Sequence, residues 1–149
     1  MTINLSIYSD FIILLKGFDF DNPLLPLACL SIFLSILFLQ SGLDKVLDFN
    51  GNLDFLTTHF KKTIFKNSVF VLLLSIIFLE ILTACVFVVG LVQFVFSTTL
   101  TIYFLKLGVI LSVITICCLF LGQRIAKDYV GAANLTIYFI LTLLGFLFF

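Results

Sequence analysis

The hydrophobic positions of this chain fall into four long runs separated by short polar breaks. They extend from about Leu24 to Leu43, Val69 to Gln93, Leu100 to Gly122 and Ala133 to Phe149. A helix rises about 1.5 Å per residue, so crossing a hydrocarbon core takes roughly 20 apolar residues. The first three runs meet that length, and the fourth is short but almost purely apolar. The runs are continuous and lack period-two alternation, which excludes the strands of a membrane β-barrel. The pattern therefore predicts an all-α fold, an integral membrane four-helix bundle, with residues 1–149 forming a single transmembrane domain. Pro23 and Pro26 stand at the start of the first run, where a missing N–H costs little.

Two segments lie outside the runs. In residues 1–22, Tyr8, Phe11, Ile12 and Leu15 recur at helical spacing, which predicts a piece resting on the membrane surface. Between the first two runs, Asn50-Gly51 reads as a turn and Asn52 as a helix N-cap. Leu53, Leu56, Phe60 and Ile64 then share one face of a helix over about 52–65, with Thr57, Thr58, Lys61 and Lys62 pointing elsewhere. This is the pattern of an interfacial amphipathic helix.

Composition strengthens the membrane reading. Of the 149 residues, 62% are hydrophobic and 11% charged, against about 25% charged in a soluble domain. So few polar side chains cannot cover a soluble surface, so the expected outer partner is membrane lipid. The formal charge is zero, which gives no sign of a nucleic-acid partner. Residues 1–22 carry no small-x-small cleavage pattern of a secretory signal, and nothing is expected to be removed. The four cysteines Cys29, Cys85, Cys117 and Cys118 lie in apolar runs without a C-x-x-C spacing, and read as reduced, buried, small hydrophobes.

The basic residues set an orientation. Lys45, Lys61, Lys62 and Lys66 lie in the first connection, Arg124 and Lys127 in the third, and only Lys16 falls on the other side. Basic loops stay in the cytoplasm. The expectation is a bacterial inner-membrane protein with both termini on the periplasmic side.

Two ionisable residues interrupt the runs. Glu80 lies near the middle of the second and Lys106 six residues into the third. A charge at the centre of a span costs about 2.5–3.5 kcal/mol even on the mildest scale, so such residues face inward and find partners. The candidates for chemistry are thus Glu80 and Lys106, expected to interact across antiparallel neighbours. The competing expectation gives Glu80 a proton and a hydroxyl partner, with Lys106 reaching outward. A polar cluster of Gln40, Asp44, Lys45 and Arg124 is expected where spans one and three end, with an Asp44–Arg124 pair within it. Ala28, Ser31, Ser35 and Gly42 lie near one face of the first span, and Gly90 and Gly108 in the next two, where small residues allow close helix approach. His59 stands alone, without the company a metal site needs. No metal site and no cofactor is predicted. A quinone remains compatible, because it needs only an apolar pocket and a couple of polar groups.

The stretch Phe38-Leu39-Gln40-Ser41-Gly42-Leu43-Asp44-Lys45-Val46-Leu47 resembles the end of the first helix in DoxX-like membrane proteins. Leu79-Glu80-Ile81-Leu82, followed by Val88-Val89-Gly90-Leu91, resembles their second helix, and Gly131-Ala132-Ala133 fits more loosely. The resemblance covers most of the chain, with Gly42, Lys45 and Glu80 as matched positions. The long N-terminal segment and Lys106 depart from it. It implies a small four-helix membrane protein and an association with redox complexes. The resulting expectation is an accessory, non-catalytic subunit of a larger membrane complex of the respiratory or redox kind, partnered by other membrane-protein subunits. The alternatives are a quinone-contacting oxidoreductase subunit with Glu80 handling protons, and a small carrier or channel working as a homo-oligomer.

Overall fold

The computed structural model describes residues 24–96 and 99–149. The surface segment expected within residues 1–22 lies outside them. Among the described residues there are five α-helices and no strand. They are α1 (Leu25–Leu47), α2 (Phe49–His59), α3 (Val69–Val95), α4 (Thr101–Ala126) and α5 (Tyr129–Leu144), the last continued by a 3-10 turn over Gly145–Phe148. Four of them, counting α5 with its 3-10 turn, are long and apolar enough to cross a membrane. Each predicted span is present. The first and third run about four residues further than the hydrophobic pattern suggested, and the fourth starts four residues earlier, at Tyr129.

The helix starts are set by short-range chemistry. The Asp48 side chain accepts the Gly51 N–H at 3.1 Å, and Asp128 accepts the Gly131 N–H at 2.9 Å. Both are Asp-aromatic-x-Gly sequences, and a Cβ on either glycine would collide with the capping carboxylate. Asp48, not Asn52, therefore caps α2, and Asn50-Gly51 forms its first turn instead of a chain reversal. The Asn52 amide donates back to the Asp48 carbonyl at 2.8 Å. The expected helix over 52–65 ends early, at His59, and tight turns carry the chain to Ser68. Ile64 consequently leaves the face it was expected to share with Leu53, Leu56 and Phe60, and is 82% exposed.

α1 packs along α3, α3 along α4, and α4 along α5, while α1 also touches α4. The buried stripe of α1 is Leu27, Ala28, Ser31, Leu34, Ser35, Phe38 and Gly42, the three-and-four spacing of one helical face. It includes all four small residues singled out from the sequence. The hydroxyls of Ser31 and Ser35 bond within α1 and not across helices. Ser31 donates to Leu27 O and Ser35 to Ser31 O, both at 2.7 Å. A buried cross-helix bond joins Thr83 on α3 to Thr115 on α4 at 3.2 Å. Outward faces carry large apolar groups, among them Phe78 at 65% and Ile137 at 66% exposure. Such a surface suits lipid, as the composition required. All four cysteines are free and exposed on these outer faces, which corrects the expectation that they are buried. They are still small apolar groups, now turned outward.

Gly90 and Gly108 are both buried between α3 and α4. A Cβ at Gly90 would lie 2.6 Å from Leu105 Cδ2 and 3.1 Å from the Leu105 backbone nitrogen. The side chain could move aside, but the backbone could not without parting the helices. Gly90→Val is expected to lower unfolding stability in detergent by about 1–3 kcal/mol, measured by denaturant titration. Gly122→Ala, whose Cβ meets only Phe60 at an ordinary 3.6 Å, is expected to be near neutral.

Candidate functional site

Glu80 is fully buried on α3, and its carboxylate is held from α1. Lys45 Nζ lies 3.0 Å from Glu80 Oε1 and 2.9 Å from Oε2, and Ser41 Oγ donates to Oε1 at 2.9 Å. Lys45 Nζ also donates to Ser41 Oγ at 2.7 Å and to the Ser41 carbonyl at 3.0 Å. Ser41 and Lys45 are four residues apart, so they share a face of α1. Gly42 lies beside them, and a Cβ there would meet Ile81 Cδ1 at 2.7 Å and Glu80 Cβ at 3.4 Å. The small residue lets α1 approach close enough for a single lysine to engage both carboxylate oxygens. Every proton on the ammonium has an acceptor, and Oε1 receives two donors. A buried carboxylate is tolerable only when it is paired and hydrogen-bonded in this way.

Lys106 takes no part. Its Nζ stands 4.9 Å from the centroid of the Phe149 ring, towards the opposite end of α4. The expected Glu80–Lys106 interaction is therefore replaced by Glu80–Lys45. Of the two competing expectations, the hydroxyl partner is present as Ser41, together with a cation. Lys45 reaches Glu80 because α1 and α3 do not end in one plane. Eleven residues of α3 precede Glu80, about 16 Å of helix, whereas α1 continues only five residues, about 8 Å, beyond Gly42. α3 overshoots α1, and a lysine near the end of α1 reaches mid-helix on its neighbour.

The expected cluster of Gln40, Asp44, Lys45 and Arg124 does not assemble. Among the described residues the one salt bridge is Lys45–Glu80. Gln40 and Asp44 are exposed. Arg124 lies over the Tyr129 ring at 4.8 Å, so it meets an aromatic face of the next helix in place of Asp44.

α2 fills the step left by the short α1. Phe49, just past the end of α1, packs edge-on against Phe70 at the start of α3, with centroids 5.8 Å apart. At its other end, His59 Nε2 lies 3.3 Å from Gln123 Oε1 on α4, and the buried Phe60 ring covers Gly122. α2 thus straps across from α1 and α3 to α4. Beneath it is a cavity of about 460 Å³. Its polar lining residues include Ser41, Lys45, Glu80, Asn52, His59 and Gln123. The rest of the lining is mostly apolar, from Leu56, Phe60, Ile76, Leu79 and Leu119 among others. Phe55, Ser75, Cys118 and Leu121 at its edge are exposed, so the cavity opens on a lateral surface of the helices.

Sequence reasoning missed Ser41 as a member of this site and placed Lys45 in the wrong cluster. The signal was present in Ser41-Gly42-x-x-Lys45, which puts a hydroxyl and a cation on one face beside a residue allowing close approach. Among the described residues no group of three or more His, Cys, Asp or Glu side chains is placed to hold a metal. Searches against protein-family models, curated proteins and solved structures return no match for the chain.

Removing one member of a buried pair strands the other and costs about 3–5 kcal/mol. Lys45→Met and Glu80→Gln are each expected to destabilise the protein in detergent. The double variant should lose less than their sum by at least about 1 kcal/mol, whereas Lys106→Met with Glu80→Gln should add within about 0.5 kcal/mol. Denaturant unfolding of the parent, the three single variants and the two double variants gives both coupling energies.

Proposed function

We propose that the protein is a DoxX-like multi-pass membrane protein, a four-helix bundle that serves as a subunit of a larger membrane complex. Its own contribution is the cavity beside Glu80, which takes a lipid-soluble molecule of the quinone class. The observation that carries this reading is a buried charge pair in the wall of a predominantly apolar cavity. About 460 Å³ lies within the range of small-molecule sites, about 300–1,000 Å³, which typically combine apolar walls with a few fixed polar groups. The lateral opening favours a ligand arriving from the lipid phase. The lining combines apolar walls with the polar side chains of Ser41, Lys45, Glu80, Asn52, His59 and Gln123, which suits a largely apolar molecule carrying oxygens. Glu80 is the proton-handling group in this reading. Its Oε2 is bonded only by Lys45, which leaves a lone pair for a proton or a hydroxyl from the ligand.

The subunit role is supported by the apolar outward face of α5. The basic connections favour an arrangement with the cavity end of the molecule in the cytoplasmic half of a bacterial inner membrane, α2 at the interface and both termini on the periplasmic side.

A short-chain quinone analogue is expected to bind the protein saturably in lipid nanodiscs. Leu119→Trp, which fills the cavity from α4 without touching the charge pair, should weaken that binding at least tenfold while leaving thermal stability close to the parent. Equal binding by the parent and Leu119→Trp would remove the cavity from consideration as the site.

A further inference from the structure

The turns between α2 and α3 form an ordered, basic and partly apolar surface. Thr63 Oγ1 donates to the Phe60 carbonyl at 2.9 Å, and the Phe65 N–H donates to Thr63 Oγ1 at 3.1 Å. Backbone bonds from Thr63 to Phe60 and from Ser68 to Phe65, both 2.9 Å, tighten the same segment. Phe60 and Phe65 meet edge to face, with centroids 6.0 Å apart, and line the cavity. With the aromatics turned inward, Lys61, Lys62 and Lys66 are exposed, and Ile64 stands out among them at 82% exposure. No Asp or Glu occurs between Asp54 and Glu80. Among the described residues, none of the three lysines has a carboxylate within ion-pair distance.

We propose that this segment docks on anionic phospholipid, with Lys61, Lys62 and Lys66 on the headgroups and Ile64 in the boundary of the acyl chains. The segment leads directly into Val69, where the apolar span of α3 begins, so headgroups are its natural neighbours. Charge selects the lipid: unpaired lysines beside a membrane are attracted to anionic headgroups, each contributing appreciably. Ile64 selects a membrane over a soluble polyanion. An acidic peptide or a nucleic acid would satisfy the ammonium groups and leave the isoleucine in water, whereas a leaflet takes both. The proposal rests on the membrane reading of the four long helices and is independent of any ligand in the cavity.

Native mass spectrometry of the full chain in a neutral detergent, titrated with phosphatidylglycerol or phosphatidylcholine, tests it. The parent is expected to retain phosphatidylglycerol more tightly. Lys61→Gln/Lys62→Gln/Lys66→Gln should reduce that preference by roughly tenfold or more, while the matching lysine-to-arginine triple keeps it. Ile64→Ser should weaken phosphatidylglycerol binding without changing the sign of the preference. Lys106→Gln, at the other end of α4, should leave it unaltered. An unchanged preference in the glutamine triple would overturn the proposal. So would displacement of the lipid by glycerol phosphate at equal concentration, which would reveal a free-phosphate site. Displacement by polyglutamate, with no effect of Ile64→Ser, would likewise replace the membrane by a soluble acidic partner.

Discussion

A carboxylate in the middle of an apolar helix has no water to solvate it, so the surrounding helices must supply a cation and donors. For Glu80 both come from one face of α1. Lys45 engages the two carboxylate oxygens and Ser41 adds a third bond. That requirement fixes much else. α1 must approach α3 closely at this level, which Gly42 permits. The register of the two helices is pinned, because a shift of one turn, about 5.4 Å, would carry Lys45 out of reach. Close packing alone is less demanding of register, since the apolar stripes of α1 and α3 could slide along each other at modest cost. The polar contact selects one arrangement.

The same register creates the cavity. With Lys45 opposite Glu80, α1 ends well short of the start of α3, and a step is left at the end where the basic residues gather. A span stopping at Leu47 would leave that step open. The Asp48 cap starts a new helix at once, and α2 crosses the gap to reach Gln123 and Gly122 on α4. A rigid strap over a step encloses space that side chains alone do not fill. The charge pair consequently lines a cavity, with Glu80 buried and Lys45 partly exposed. Structural need and candidate chemistry thus have one origin, since the only Glu of the chain both anchors α1 to α3 and forms part of the cavity wall.

The long helices were legible because lipid imposes a simple rule of length and hydrophobicity, and Leu25–Leu47, Val69–Val95, Thr101–Ala126 and Tyr129–Phe148 obey it. Their ends were less legible. Capping carboxylates such as Asp48 and Asp128 govern them, and these act through local geometry that hydropathy does not register. Glu80 stood out as a costly residue, but its partner did not. Pairing depends on how far each helix overshoots its neighbour, and a run of apolar residues does not encode that offset. Arg124 illustrates the same gap. Its charge suggested Asp44, and the Tyr129 ring, five residues along the chain, lies closer to hand. The cavity could not be read at all, because it arises from the crossing of α2, whose direction is a tertiary property.

The central claim is that Lys45, and not Lys106, holds the Glu80 carboxylate. Solid-state NMR on the protein in bilayers measures this directly, since Glu80 is the sole glutamate and a 13C label at its δ carbon marks one site. With lysines labelled at 15Nζ, dipolar dephasing of that carbon is expected to report a nitrogen within about 4 Å, and to vanish when Lys45 is replaced by arginine with unlabelled nitrogens. Dephasing that survives Lys45→Arg and disappears with Lys106→Arg, or no dephasing in the parent protein, would contradict the account.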